Sequence, residues 1–296
     1  MKKCVGISVS LFLFFCCTMC ARDSWSADLD AAIRLAGKNN RPILAIFSSR
    51  NANPLCERLA AAAIDSPGFT QEASKSFNLA WIDMFGAIKE GANPAKSLAQ
   101  RYGISQLPAV FLLDTTGRSY ALCDYTEEDG HIWLAELQAM DAQLEERNLL
   151  LKNAVREQDP AKRLTAFTLA VDAFTAWGII RDYPELKAEV IRLDADNAAG
   201  LQAKYLVEHA IGEISSIYLA TNGFEAGLAK LGELLAEYAQ GEPAQQIYYT
   251  MAALKIRLGS HAEARDLMQK ALFAAPASKQ AETIRAALAS LDFNPD

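Results

Sequence analysis

PILAIFSSRNANPLCERL (residues 42–59) decides the expected fold, because it joins a strand signal directly to a helix start. A proline followed by the apolar run at residues 43–47 is typical of a buried β-strand. Asn53 and Pro54 then indicate a helix start, since asparagine is a good N-cap and proline is tolerated at the first helical position. We therefore expect Cys56 in the first turn of that helix.

The sequence around this stretch predicts further helices and strands in alternation. Helices are indicated by apolar residues at helical spacing, and strands by short apolar runs between turn signals. The order indicates an α/β domain with a mixed sheet flanked by helices and an extra helix in front. The expected elements are helices at residues 28–38, 93–102 and 132–156, and strands at 77–83, 109–113 and 120–123, the last two joined by a turn at 114–117.

From residue 159 onward the strand signals end and short breaks separate successive helical stretches, which predicts an all-α domain of antiparallel helix pairs. The last pair resembles a tetratricopeptide repeat, and a less well matched repeat precedes it at about residues 222–231. We expect two domains, at residues 27–156 and 157–296. The large, small, turn and stop residues of the last pair are Tyr248, Met251, Ala252, Gly259, Ala264, Met268, Ala271 and Pro276.

Residues 1–26 have the pattern of a signal peptide, with two lysines, an apolar run at residues 5–19 and a small-x-small site that ends at Ser26. Cleavage there removes three basic residues and one acidic residue, so the net charge changes from −7 to −9. We expect export to a bacterial periplasm. An uncleaved membrane anchor at residues 4–21, or lipidation at Cys20, stays as an alternative.

The length, composition and net charge of the chain limit the classes of function that it can have. The chain has 296 residues, of which 51% are hydrophobic and 22% charged, which is enough for two globular cores. A net charge of −7 without a basic cluster does not favour nucleic-acid binding, which depends on many lysine and arginine contacts to phosphate. The sequence has no metal-ligand spacing, phosphate loop or dinucleotide fingerprint, so we expect no metal and no cofactor.

These landmarks resemble the thioredoxin family, and most closely exported members in which a strand ending in phenylalanine leads into a W-C-x-x-C helix start. Counted from Phe47 without a gap, the tryptophan position holds Ala52, the first cysteine position Asn53 and the second Cys56. Pro54 keeps a proline that is often found between the two cysteines. The resemblance covers about residues 28–150 and implies a thioredoxin-like fold with a degenerate active site.

The substitution at Asn53 implies that the usual chemistry is lost. Thiol-disulfide exchange begins with an exposed thiolate at the helix N-terminus, and a carboxamide cannot form a mixed disulfide. Once the leader is set aside, only Cys56 and Cys123 remain. The resemblance implies that Cys56 is shielded, as a small buried side chain. The alternatives are a reactive monothiol at Cys56 or, less compatible with the resemblance, a disulfide between Cys56 and Cys123.

The resemblance also implies a binding surface. Residues 106–111 match the family's proline loop, so we expect the bond before Pro108 to be cis and Leu107 to form a ledge where an extended peptide pairs with the backbone. Such binding requires no cysteine, although the surface could also be vestigial. The expected groove residues are Ala52, Asn53, Pro54, Leu55, Leu107 and Pro108.

The function expected from the sequence is therefore a redox-inactive module that binds or scaffolds a protein or peptide partner in the cell envelope. The rival hypothesis is a thiol-disulfide oxidoreductase or isomerase that uses Cys56 alone. A membrane contact is expected only if the N-terminal segment is uncleaved or lipidated.

Overall fold

The computed structural model describes residues 24–50, 52–85, 94–125, 129–221 and 223–293. Most of the predicted signal peptide, with Cys20, lies outside the described residues. Contacts divide the chain into two compact units, Met1–Lys152 with Asp172–Tyr183, and Asn153–Val171 with Pro184–Asp296. The predicted domains at residues 27–156 and 157–296 stay predictions.

The N-terminal part of the chain alternates helices and strands, as its sequence predicts. A π-helical segment, Ala60–Ile64, continues the second helix. In chain order the elements are α1 (Leu29–Asn39), β1 (Ile43–Ser48), α2 (Pro54–Leu59), α3 (Pro67–Ser76), β2 (Asn78–Asp83), α4 (Pro94–Tyr102), β3 (Ala109–Leu113), β4 (Ser119–Cys123), α5 (Gly130–Ala139) and α6 (Asp141–Arg156).

The four strands form one mixed sheet in the order β2-β1-β3-β4. β1 runs parallel to β2 and antiparallel to β3, and the β3–β4 hairpin closes over the predicted turn. Every residue of β1 is buried, which confirms the expectation of a fully buried strand. A mixed sheet with many helices is compatible with a thioredoxin-like domain followed by a helical region.

The core of the first unit lies on both faces of the sheet, because successive side chains of a strand point to opposite faces. Leu44 and Ile46 belong to one buried cluster, which includes Trp133 of α5. Phe47 belongs to the other, where its ring centroid lies 5.3 Å from that of Tyr102 on α4. The helices that flank the sheet are thus fixed by apolar contacts to alternate residues of β1.

Two helical predictions need correction. The expected single helix at residues 132–156 is two helices, α5 and α6, because the helix ends at Met140. The break lets Met140 pack against the core and places Asp141 where its carboxylate accepts a 3.0 Å hydrogen bond from the Tyr120 hydroxyl. Helix α3 was not predicted, although its start repeats the signal of α2: Ser66 is the N-cap and Pro67 the first helical residue.

Trp25 and Ser26 belong to the folded part of the first unit. Trp25 is 7% exposed, and its Nε1 donates a 3.0 Å hydrogen bond to the Thr70 hydroxyl. Ser26 forms a parallel bridge to Ala80 of β2. Cleavage after Ser26 would therefore remove a core tryptophan. The signal peptide itself stays a prediction.

The C-terminal part of the chain is helical, as predicted, and the described residues from 157 to 293, which omit 222, include no strand. Among the described residues, no helix combines the length and the apolar character needed to cross a membrane. In chain order the helices are α7 (Pro160–Ala176), a single 3-10 turn (Ile180–Asp182), α8 (Pro184–Leu193), α9 (Leu201–Ala220), α10 (Phe224–Glu237), α11 (Gly241–Arg257), α12 (His261–Ala274) and α13 (Ala281–Phe293).

The α11–α12 pair packs through small buried side chains. Ala252, Ala264 and Ala271 are fully buried in one cluster with Met268. Such short side chains allow close approach of two helices. The turn between the helices contains Gly259 with a φ of +74°, a conformation that glycine adopts without the steric penalty of a Cβ.

Candidate functional site

The start of α2 is built by the side chain of Asn53. Its backbone is extended, with φ −166° and ψ 167°, and its Oδ1 accepts a 2.9 Å hydrogen bond from the Cys56 N–H. Pro54 occupies the first turn, where its missing N–H leaves no helical bond unmade. The predicted helix start, with Cys56 in its first turn, is confirmed.

The other end of the same carboxamide contacts the proline loop. Asn53 Nδ2 donates a 2.7 Å hydrogen bond to the carbonyl oxygen of Leu107. The peptide bond between Leu107 and Pro108 is cis, as predicted. Asn53 therefore connects the N-terminus of α2 to a loop 54 residues away in sequence, and both polar ends of its side chain have partners.

A cleft of about 520 Å³ lies beside this connection. Its wall includes Phe85, which is 72% exposed although it is large and apolar. Other loop residues, Met84 directly after β2 and one face of α4 form the rest. The lining residues are Ala52, Asn53, Met84, Phe85, Ala95, Lys96, Ala99, Ile104, Ser105, Gln106 and Leu107.

Three of the expected groove residues line this cleft, namely Ala52, Asn53 and Leu107. Pro54, Leu55 and Pro108 are not among its lining residues; Pro54 is exposed, and the other two are partly buried. The expected groove therefore overlaps the cleft only at Ala52, Asn53 and Leu107.

The cleft residues of α4 and those that follow β2 were not predicted from the sequence. A signal was present, since Met84 and Phe85 directly follow β2, which pairs with β1 in the sheet. In a parallel pair the carboxyl ends of both strands lie at the same edge, so residues after β2 lie near residues after β1. Phe85 could have been placed by that rule.

Both cysteines of the described residues are free and buried. The alternative of a Cys56–Cys123 disulfide is wrong, because the two thiols lie on separate elements, α2 and β4, without a bond between them. Cys56 is 0% exposed. Burial and, to a smaller extent, the nearby charge of Asp124 together raise the pKa of the Cys123 thiol to about 12.

A buried carboxylate that the sequence analysis did not single out organises the opposite end of the β3–β4 hairpin. Asp182, 7% exposed, accepts a 2.9 Å hydrogen bond from Arg101 Nε and a 2.8 Å bond from the Ser119 N–H. Its own carbonyl oxygen accepts from Arg118. The turn that contains Asp182, itself part of the first unit, is thereby fixed to α4 and to the start of β4.

Arg147 forms a second buried network next to Asp182. Its guanidinium lies 2.8 Å from the carboxylate of Asp114 and donates a 2.7 Å hydrogen bond to the Tyr183 hydroxyl, which in turn donates to the carbonyl of Ser119. Burial alone would raise the pKa of Asp114, but hydrogen bonds within the β3–β4 turn and the charge of Arg147 lower that pKa below its ordinary value. Burial raises the pKa of Tyr183 to about 12.

The second unit has a cleft of its own, of about 790 Å³. It lies between the loop before α9 and the loop before α11, and its charged lining residues are Lys204, Glu237 and Glu242. The first turn of α9 beside it is already capped, since the Asp194 carboxylate accepts hydrogen bonds from the N–H groups of Leu201 and others. Burial would raise the pKa of Asp194, but these backbone bonds lower it.

No family model matches the chain, and no curated protein matches its sequence. Four chains of solved structures match it. One is a DsbH oxidoreductase, which is 14% identical over 39% of this chain and 81% of that chain, with a TM-score of 0.35. A similarity of this size is too low to transfer any property of that oxidoreductase to this chain.

Proposed function

We propose that this protein is an exported thioredoxin-like protein without a nucleophilic cysteine, which binds a protein or peptide partner in the bacterial cell envelope. Its C-terminal helices form a tetratricopeptide-like module. The observation that carries the proposal is the carboxamide of Asn53 at the N-terminus of α2, bonded to the Cys56 N–H and to the Leu107 carbonyl.

Chemistry supports the redox-inactive part of the proposal. The N-terminus of a helix lowers the pKa of a thiol placed there, because the helix dipole and its unpaired N–H groups stabilise a thiolate. At this position the chain has Asn53, which has no ionisable proton. Cys56, three residues later, is fully buried, so its sulfur is not accessible to a substrate. The rival, a monothiol oxidoreductase, requires an exposed thiolate at Cys56.

The arrangement of the first unit supports the thioredoxin-like part. The central strand β1 leads into α2, and the start of α2 contacts the loop that enters β3. β3 lies antiparallel to β1 and continues into a hairpin, in the order that the resemblance predicts. These features are independent of the similarity to any solved structure.

The cleft supports the binding part. It is lined mostly by apolar side chains, and Phe85 remains 72% exposed at its wall. Exposed aromatic side chains beside a concave surface are typical anchors of protein interfaces. Pro54, Leu55 and Pro108 of the expected groove extend the surface next to the cleft.

The helical module is proposed from the α11–α12 pair. Ala252, Ala264 and Ala271 are buried where two helices of a tetratricopeptide repeat approach each other, and Gly259 forms the turn. Repeat modules of this kind usually bind other proteins, which agrees with a binding function for the whole chain.

The binding function is tested with the full chain and a Phe85→Ala variant. A crosslinkable bait, expressed in the cell envelope of a bacterium that encodes the protein, identifies the partner, and its affinity for the purified variants is then measured. Loss of a central aromatic anchor should weaken binding about tenfold or more. Leu35→Ala is the matched control, because Leu35 is also a large, exposed apolar residue, 51% exposed, but lies on α1 outside the cleft.

Equal affinities of the Phe85→Ala and Leu35→Ala variants for the partner would show that the partner does not bind in the cleft. The rival redox function is examined separately by insulin reduction. Wild-type turnover that disappears in Cys56→Ser would replace the binding function by a monothiol enzyme.

A further inference from the structure

We propose that Asn53 is an internal plug of the groove: its carboxamide holds the Leu107 carbonyl, so that a partner strand pairs with that carbonyl only after Asn53 has moved. The inference rests on the proposed binding function and adds a control over how a partner binds. It differs from a merely vacant site, because the position of the missing sulfur is filled by a group with its own bonds.

The geometry of the carboxamide carries this inference. Nδ2 lies 2.7 Å from the Leu107 oxygen, and Oδ1 lies 2.9 Å from the Cys56 nitrogen. Leu107 and Asn53 both line the cleft, so the bond lies at its edge and not deep inside the core. An incoming N–H would have to approach an oxygen against which the Asn53 side chain already lies.

Asparagine can make both hydrogen bonds, to the Cys56 N–H and to the Leu107 carbonyl, whereas aspartate and serine can make only the first. Aspartate retains an acceptor for the Cys56 N–H, but its carboxylate has no proton to donate and is repelled by the Leu107 oxygen. Serine is also an N-cap acceptor, but it is too short to bridge both partners. Substitutions at Asn53 therefore separate the cap of α2 from the bond to the proline loop.

The plug predicts which partners are disfavoured. An extended segment that pairs through its main chain competes with the internal bond. Its apparent affinity is the intrinsic affinity multiplied by the small fraction of molecules in which Asn53 has moved. A segment that only inserts an apolar side chain next to Phe85 does not compete. The groove is thus closed to main-chain pairing in the resting state and open to side-chain insertion.

The test measures the affinity of the full chain for a defined extended polypeptide, reduced and carboxymethylated α-lactalbumin, which has no free thiol. Wild type is compared with Asn53→Ser and Asn53→Asp. Both variants should bind about fivefold more tightly, the ratio expected from one net hydrogen bond. In the same variants the carbonyl ¹³C resonance of Leu107 should move upfield as its internal bond is lost.

Ser66→Asp is the matched control. Ser66 is also an N-cap followed by a proline, and its hydroxyl accepts a 3.3 Å hydrogen bond from the Phe69 N–H, but it does not line the cleft. This variant adds the same charge to an equivalent helix start and should bind the probe as wild type does.

Unchanged or weaker binding by Asn53→Ser overturns the plug, whether or not the wild-type chain binds the probe. Failure of the proposed binding function is read from a different result, the equality of Phe85→Ala and Leu35→Ala toward the natural partner. The two hypotheses can therefore fail separately.

Discussion

Replacement of Asp182 by asparagine tests how strongly the turn at residues 180–182 stabilises the first unit, of which it is a part. The carboxylate accepts bonds from Arg101 Nε at 2.9 Å, from the Ser119 N–H at 2.8 Å and from the Ser119 hydroxyl at 3.3 Å. Asparagine has almost the same shape, so the substitution removes charge and one acceptor without opening a cavity. One donor then faces the amide NH₂ group.

The size of the effect follows from these contacts. A hydrogen bond to a charged group contributes about 1.5–3 kcal/mol, and a buried donor left without an acceptor costs about 1–3 kcal/mol. The Arg101 side chain is 40% exposed, so solvent screens its attraction to Asp182 and places that bond at the low end. The Ser119 N–H is buried and is not relieved by water. We expect Asp182→Asn to lower the free energy of unfolding by about 2–3 kcal/mol.

Tryptophan fluorescence in urea measures this loss selectively. The four tryptophans of the chain, Trp25, Trp81, Trp133 and Trp177, all belong to the first unit, so their signal reports that unit. Asp172→Asn is the matched control, because Asp172 is an exposed aspartate of the same segment, and it should change stability by less than about 0.5 kcal/mol. If both variants unfold at the same urea concentration, the Asp182 network does not stabilise the unit and the reasoning fails.

Three further outcomes are expected. Trp25→Ala should destabilise the first unit by about 3 kcal/mol, and the intact mass of the exported protein should show a start at or before Trp25; a start after Ser26 would contradict the contacts of Trp25. The pKa of Asp114 is lower in the folded state, so its contribution to the free energy of unfolding is complete above about pH 4 and is lost as pH falls below that value. Asp114→Asn should therefore flatten the acid end of the profile of stability against pH. An unchanged profile would show that this carboxylate does not contribute to acid unfolding. Gln245→Leu should lower the stability of the second unit by about 1–3 kcal/mol, since its Nε2 donates to the carbonyls of Ala271 and Ala275; circular dichroism should shift while tryptophan fluorescence does not, and a shift of both would show that the effect is not local.

Local chemistry explains what the sequence predicted well. The start of α2 follows from Asn53 and Pro54 alone, because capping involves the N-cap residue and the N–H three residues later. The strand β1 follows from its uninterrupted apolar run, since such a run is stable only when both faces are covered. These signals lie within a few residues of the feature that they predict.

Long-range polar contacts explain what the sequence did not predict. Asp182 and Ser119 are 63 residues apart, and neither has a neighbour in sequence that indicates the bond. The break at Met140 likewise has no helix-ending residue that would predict it, and the Tyr120 hydroxyl that donates to Asp141 lies 21 residues earlier in the chain. The bond between Asn53 and Leu107 spans 54 residues, and from the sequence it could be expected as proximity but not as a hydrogen bond.

Loss of redox activity through Asn53 is measured most directly by the rate of insulin reduction by dithiothreitol with wild type, Asn53→Cys and Cys56→Ser. Asn53→Cys places a thiol at the N-terminus of α2, three residues before Cys56, where the helix end favours the thiolate. If wild type lacks an accessible thiolate, wild type and Cys56→Ser should give no acceleration, and Asn53→Cys should give clear acceleration. Acceleration by wild type that Cys56→Ser abolishes would contradict the loss of redox activity.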